Sequence, residues 1–291
     1  MRAVIALPWT RAKRVFSKQK MFDTTLGNLL GLQIFRIAVA RASLTFRRMR
    51  CPERGNPYLR TLIREGYCAI EDFLPGEEFE RVCSEFERSM SGEAKGISVE
   101  VDKFHISTKS VAFSLADKDK YPATIRSFLD NPACMAIFKG HEGRVGDGFY
   151  RRGSFRSWFQ RAFTDLTRRP TEEESNSDLH TDTFHTLTKG FFYLKDVDVH
   201  NAAFTFVPRS HRLSRRRLLF EYWNSIGRKS QAPRVSDQEL TRMGLKAQPM
   251  AFRANTLVIA NTFGFHGRGM FSRADVTRDI VKLDYRSHPF R

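Results

Sequence analysis

From about residue 140 onward this chain is a succession of short runs rich in aromatic and β-branched residues. Residues 145–150, 191–194, 203–207, 256–260 and 280–285 are all of this kind, and turn-forming residues separate several of them. Such side chains suit a pleated, half-buried surface, so the pattern predicts short strands in a mainly β protein with flanking helices. Upstream, residues 75–88 begin with proline and acidic side chains in the first turn and carry Phe79, Val82, Cys83 and Phe86 at helical spacing. That stretch predicts a helix buttressing the sheet.

Within the β region, His180-Thr181-Asp182 is followed far down the chain by His266 and then Arg278. Residues two apart on an extended strand face the same side, so His180 and Asp182 can address one metal ion while Thr181 points away. Two imidazoles and one carboxylate on one face of an octahedral ion leave three positions open, the arrangement of non-haem Fe(II) oxygenases. A His-x-Asp tripeptide is common by chance in a chain with eight histidines and 32 acidic residues. Here a distal histidine follows a β-like run, and Arg278 opens another. A guanidinium fork suits the remote carboxylate of a dicarboxylate whose other end chelates the metal. Arg273 is the rival for that role. Thr186 and Lys189 flank the metal segment and are candidates for contact with co-substrate or substrate, whereas His185, at odd spacing from both His180 and Asp182, would point away from the metal.

The chain resembles the phytanoyl-CoA dioxygenase-like Fe(II)/2-oxoglutarate oxygenases over roughly residues 60 to 291. The matching stretches are Glu65-Gly-Tyr-Cys-Ala-Ile-Glu-Asp-Phe-Leu74, Leu179-His-Thr-Asp-Thr-Phe-His185, Phe204-Thr-Phe-Val-Pro-Arg-Ser-His-Arg-Leu213 and residues 255–278. The resemblance implies a double-stranded β-helix of the jelly-roll kind, with iron held by His180, Asp182 and His266 and with 2-oxoglutarate and O₂ as co-substrates. It also implies that Arg278 pairs with the far carboxylate of 2-oxoglutarate, and that His211 has a structural role. Asp182 at the carboxylate position favours hydroxylation over halogenation. Two turns depart from the family pattern. Asn201-Ala202 and Pro208-Arg209 stand where the family has Asn-Gly and Pro-Gly, at positions where glycine supplies unusual backbone angles.

The expected organisation is a basic, partly helical extension over residues 1–59 and an oxygenase domain over 60–291. The chain carries a net charge of +17, and its first 60 residues hold thirteen Lys/Arg against only Asp23 and Glu53. Such a segment suits an anionic lipid surface or an anionic substrate. Peripheral membrane contact through residues 1–50 is therefore one expectation, with a solvated basic tail as the plainer one. The apolar start of the chain is too short for a signal-peptide core and is stopped by Pro8, and residues 29–40 are interrupted by Gln33 and Arg36, short of a bilayer span. The expected location is the cytoplasm, extending to the inner face of a membrane. Four cysteines without Cys-x-x-Cys spacing point to reduced, mostly buried thiols. Nucleic acid is disfavoured, because the aromatic residues near basic clusters lack any recognised binding motif. The expected activity is hydroxylation of an unactivated C–H bond in a small or lipid-like, anionic substrate. A zinc hydrolase using the same ligands and a non-catalytic binding protein on the same scaffold are the alternatives.

Overall fold

The computed structural model describes residues 25–92, 97–103, 106–113, 122–143, 155–164, 179–226, 233–273, 276–285 and 288–290. The run at 145–150, the acidic stretch 171–178 and the first 24 residues lie outside these. In chain order the elements are α1 Thr25–Leu29, α2 Leu32–Met49, a 3₁₀ turn Pro52–Gly55, α3 Pro57–Glu65, β1 Tyr67–Ile70, α4 Gly76–Ser91, β2 Ile97–Lys103, β3 Ile106–Phe113, α5 Ala123–Asp130, α6 Pro132–Glu142, β4 Phe155–Thr164, β5 Thr188–Tyr193, β6 Phe204–Phe206, α7 Arg215–Ser225, α8 Asp237–Met243, β7 Gln248–Pro249, β8 Thr256–Asn261, β9 His266–Arg268 and β10 Arg278–Tyr285.

The strands form a seven-stranded sheet in the order β1-β8-β5-β10-β4-β3-β2 and a three-stranded sheet in the order β7-β6-β9, with antiparallel pairing throughout. An isolated bridge between His180 and His266 adds the metal segment to the free edge of β9. Two sheets that exchange strands in this way and face each other make the double-stranded β-helix, a jelly-roll sandwich.

Helices cover the outer face of the large sheet. α4 begins with Glu77 and Glu78 in its first turn, ends at Gly92 with φ 94°, and buries Val82, Phe86 and Met90. Phe86 lies 5.5 Å from Phe159 on β4, and Phe79 lies 5.9 Å from Phe192 on β5. This helix packs on the sheet as its spacing predicts. Side chains from α3, α4, α5 and α6 join Phe192, Leu257, Ile259, Val281 and Leu283 in one apolar cluster, while Phe191, Tyr193, Val258, Ala260 and Ile280 point between the sheets with Phe204 and Phe206. Each such buried side chain contributes about 1.5–3 kcal/mol.

The two departures from the glycine pattern have left-handed backbones, with φ 58° at Ala202 and 65° at Arg209. A side chain there costs about 1–2 kcal/mol. Arg209 offsets this by bonding Glu65 through its backbone N–H and its Nε, both at 2.8 Å. The Ala202 N–H donates to Met270 O at 3.1 Å, and the Ala202 carbonyl accepts from Arg278 Nη1.

Residues 32–50 lie against the body. α2 buries Ile37, Ala40 and Leu44 together with Arg36, whose guanidinium sits 4.1 Å above the Phe184 ring. Burial pushes that guanidinium down to about 10. Of the apolar side chains on this segment, Ile37 and Leu44 are covered, whereas Leu26, Leu30, Phe35 and Phe46 face outward. Among the described residues no helix is long and apolar enough to cross a membrane. The four cysteines are free thiols, and three of them are buried.

Candidate metal centre

His180 and His266 face each other across a two-stranded pairing, each N–H bonded to the other's carbonyl at 2.9 and 3.0 Å. Residues directly opposed in this way point to the same face, and the ring centroids are 4.8 Å apart. The strand does not continue through Asp182, as the spacing had suggested. The chain bends there, and the Asp182 N–H donates to Thr262 O at 3.1 Å, which turns the carboxylate back toward both histidines. Asp182 Oδ2 lies 3.4 Å from His266 Nε2, and Oδ1 lies 3.9 Å from His180 Nε2. One ligand atom from each of the three residues falls within 4.8 Å of the others.

The electrostatics fit a cation at this point. His266 Nδ1–H donates to the Gly264 carbonyl at 3.0 Å, which fixes the ring with Nε2 facing Asp182. Lys189 Nζ stands 2.5 Å from Asp182 Oδ2, yet that buried oxygen receives no well-aligned hydrogen bond. Burial alone would raise the Asp182 carboxyl; the adjacent His266 ring and the Lys189 charge outweigh it and hold the group well below the usual carboxylate range. The result is a ready anionic ligand. His180 is the most open of the three, with its side chain 32% exposed against 18% for Asp182 and 7% for His266, so ligands approach from its side.

The start of β5 is pinned from behind. Thr188 donates to Glu142 Oε1 at 2.5 Å and accepts from His141 Nδ1 at 2.7 Å, which sets the strand that carries Lys189 inward. Burial holds His141 well below its ordinary value, so the ring is neutral. Thr186 is buried in the turn before β5, and its carbonyl accepts from His185 Nδ1 at 2.7 Å. His185 packs edge-on to Phe184, its centroid 5.1 Å away. His211 donates from Nε2 to Ile63 O at 2.9 Å, a structural tie to the end of α3.

Arg278 opens β10, is buried, and projects inward two residues before Ile280, which pairs with Tyr193. Nη1 bonds the Ala202 carbonyl, while Nε has no hydrogen-bond partner among the described residues. Burial and then the Arg268 charge lower this guanidinium to about 10. Arg273 is exposed. Three further charged groups enter the same interior and were not singled out from sequence: Arg268 on β9, and Lys282 and Asp284 on β10. The signal for Lys282 and Asp284 was available in the period-two alternation of Arg278, Ile280, Lys282 and Asp284.

A family model described as phytanoyl-CoA dioxygenase (PhyH) matches residues 62–247. Among solved structures, the non-heme alpha ketoglutarate dependent epimerase SnoN from nogalamycin biosynthesis superposes with a TM-score of 0.55 at 16% identity, covering 79% of this chain and 85% of that one. The same epimerase in complex with Fe3+, alpha ketoglutarate and nogalamycin RO gives 0.54 at 17% identity over the same shares. The carbocyclase SnoK from that biosynthesis gives 0.49 at 16% identity, covering 78% of this chain and 82% of that one. No curated protein sequence matches the chain. At these identities the structural likeness is one of fold. The family match spans well over half of the chain and contains His180 and Asp182, and it stops short of His266, which the fold itself brings to them. With the sandwich and the triad in place, the chain belongs to the phytanoyl-CoA dioxygenase family and is a 2-oxoglutarate-dependent non-haem iron enzyme.

Proposed function

We propose that this protein is an Fe(II)/2-oxoglutarate-dependent dioxygenase that hydroxylates an unactivated C–H bond of a small or lipid-like, anionic substrate. His180, Asp182 and His266 would hold the iron, and Arg278 would pair with the remote carboxylate of 2-oxoglutarate. The observation that carries the reading is the convergence of one ligand atom each from His180, Asp182 and His266 within 4.8 Å of one another, with Asp182 Oδ2 lacking a hydrogen-bond partner among the described residues. Bound iron, 2-oxoglutarate and O₂ supply the oxidising chemistry. The protein contributes binding, orientation and exclusion of water. Lys189 neutralises Asp182 until metal arrives, and then offers its ammonium to an incoming carboxylate. The Arg278 Nε–H, buried and without a partner among the described residues, would donate to the dicarboxylate. Thr186 lines the turn between the metal ligands and Lys189. The apolar residues between the sheets keep the reacting centre dry.

The structural relatives are named as an epimerase and a carbocyclase, so the fold hosts other outcomes than hydroxylation. Product analysis decides among them. Anaerobically purified protein should consume 2-oxoglutarate on exposure to O₂ with Fe(II) and not with Zn(II), and Asp182→Ala should lower that rate by more than about a hundredfold. A variant with full activity sinks the ligand assignment; equal activity with zinc would favour the hydrolase.

Peripheral contact with an anionic membrane surface on the cytoplasmic side is supported by the outward-facing Leu26, Leu29, Leu30 and Phe35 in a strongly basic segment. In liposome co-sedimentation, protein lacking residues 1–50 should pellet less than the full chain. Equal pelleting removes this part of the reading.

A further inference from the structure

The inner face of the large sheet carries more charge than the metal site uses. Along β5 the inward residues are Lys189, Phe191 and Tyr193, and along β10 they are Arg278, Ile280, Lys282 and Asp284. Lys189 faces Asp182, Arg278 donates to the Ala202 carbonyl, and Arg268 donates from Nη1 to Thr108 Oγ1 at 3.0 Å. Lys282 is different. Among the described residues its ammonium has neither a carboxylate at ion-pair distance nor a hydrogen-bond acceptor, and its one specific contact is the Trp158 ring, whose centroid lies 5.5 Å from Nζ. Burial and the Lys189 charge push the amine down to about 8, against the opposite pull of Asp284 and Asp182.

Register places this group beside the triad. Lys282 pairs with Phe191 on β5 and Trp158 on β4, and Lys189 pairs with Asp284. Lys282 is thus one diagonal step from Lys189, about 7–8 Å between backbones, and Lys189 touches the metal-ligand carboxylate. A lone ammonium in such an interior is costly and favours an anionic partner.

We propose that Lys282, with the Trp158 ring beneath it, forms an oxyanion subsite beside the metal centre that binds a carboxylate or phosphate group of a ligand. The source is either the co-substrate's own carboxylate or an anionic group on the substrate. This rests on the oxygenase reading above and deepens it.

Calorimetric titration of full-length, anaerobic Fe(II)-protein tests it, first with 2-oxoglutarate and then with inorganic phosphate added to the Fe(II)–2-oxoglutarate complex. Lys282→Met keeps the length and removes the charge; Lys282→Arg keeps the charge. Loss of 2-oxoglutarate affinity by about ten- to hundredfold in the methionine variant, recovered with arginine, supports the subsite with the co-substrate as source. Unchanged 2-oxoglutarate affinity, with phosphate bound by the wild type and the arginine variant and not by the methionine variant, supports it with the substrate as source. If neither ligand distinguishes Lys282→Met from the wild type, the proposal is overturned. Should Lys282→Met fail to fold, Lys282→Gln answers the same question. Wild-type protein that binds no 2-oxoglutarate with Fe(II) instead overturns the oxygenase reading, before any variant is compared.

Discussion

The two faces of the central strands differ although they are made by the same residues in alternation. On the outer face Phe192, Leu257, Ile259, Val281 and Leu283 lie under helices in a dry apolar layer. On the inner face the same strands present Lys189, Tyr193, Arg278, Lys282 and Asp284 to the space between the sheets. The outer layer supplies stability and holds the backbone still. The inner layer sacrifices stability by burying charges, and becomes a place where a metal ion and carboxylates can bind. A period of two lets one strand serve both ends, with each side chain's role set by its parity.

The contrast can be broken at the outer face first. Phe192→Ala removes a ring packed against Phe73, Phe79 and Phe128. Denaturant unfolding should show a loss of about 3–5 kcal/mol, while the KM for 2-oxoglutarate of the folded fraction stays the same. A large change in KM would mean that the faces are not separable. At the inner face, Arg278→Met should raise the KM for 2-oxoglutarate about ten- to hundredfold, with far less effect on unfolding, since it removes a donor to a ligand and a guanidinium that burial already penalises. An unchanged KM would shift the anchor elsewhere.

The smallest effect is the most discriminating. Lys282 loses its proton near pH 8 in the folded protein and near 10.4 in the unfolded chain. Between those values the unfolded state binds more protons, so stability rises with pH through that window, and the cost of the buried charge is fully present below it. Ligand-free Lys282→Met should therefore be more stable than the wild type at pH 7, by about 1–2 kcal/mol, with the gain shrinking from about pH 8 and mostly gone by about pH 10. Melting curves at pH 7 and pH 10 check this; a variant less stable at pH 7 would show that the ammonium is not strained in the free protein.

Much of this was visible in the chain. The runs at 191–194, 203–207, 256–260 and 280–285 became β5, β6, β8 and β10, and the spacing of residues 75–88 became α4. His180, Asp182 and His266 converge. Local pattern was sufficient for these because strand alternation and helix periodicity are short-range. Other features were not legible. The bend at Asp182 replaces the extended strand assumed from His-x-Asp, because Thr262, eighty residues on, takes its N–H. The exposure of Arg273 and burial of Arg278 follow from where β10 begins. Arg36 stood out in the sequence only as an interruption of an apolar stretch, yet its guanidinium sits above the Phe184 ring in the loop next to the metal ligands.

The sequence by itself determined the chemistry on offer: two imidazoles, a carboxylate and a guanidinium, on segments whose composition commits them to short strands. Only the tertiary structure decided that His266 lies opposite His180, that Lys189 lies against Asp182, and that Lys282 has an aromatic ring and no counter-ion among the described residues. The physical reason is range. Side-chain type and periodicity act over a few residues, whereas strand order and register are set by packing two sheets and their helices at once, and it is register that chooses which charges meet.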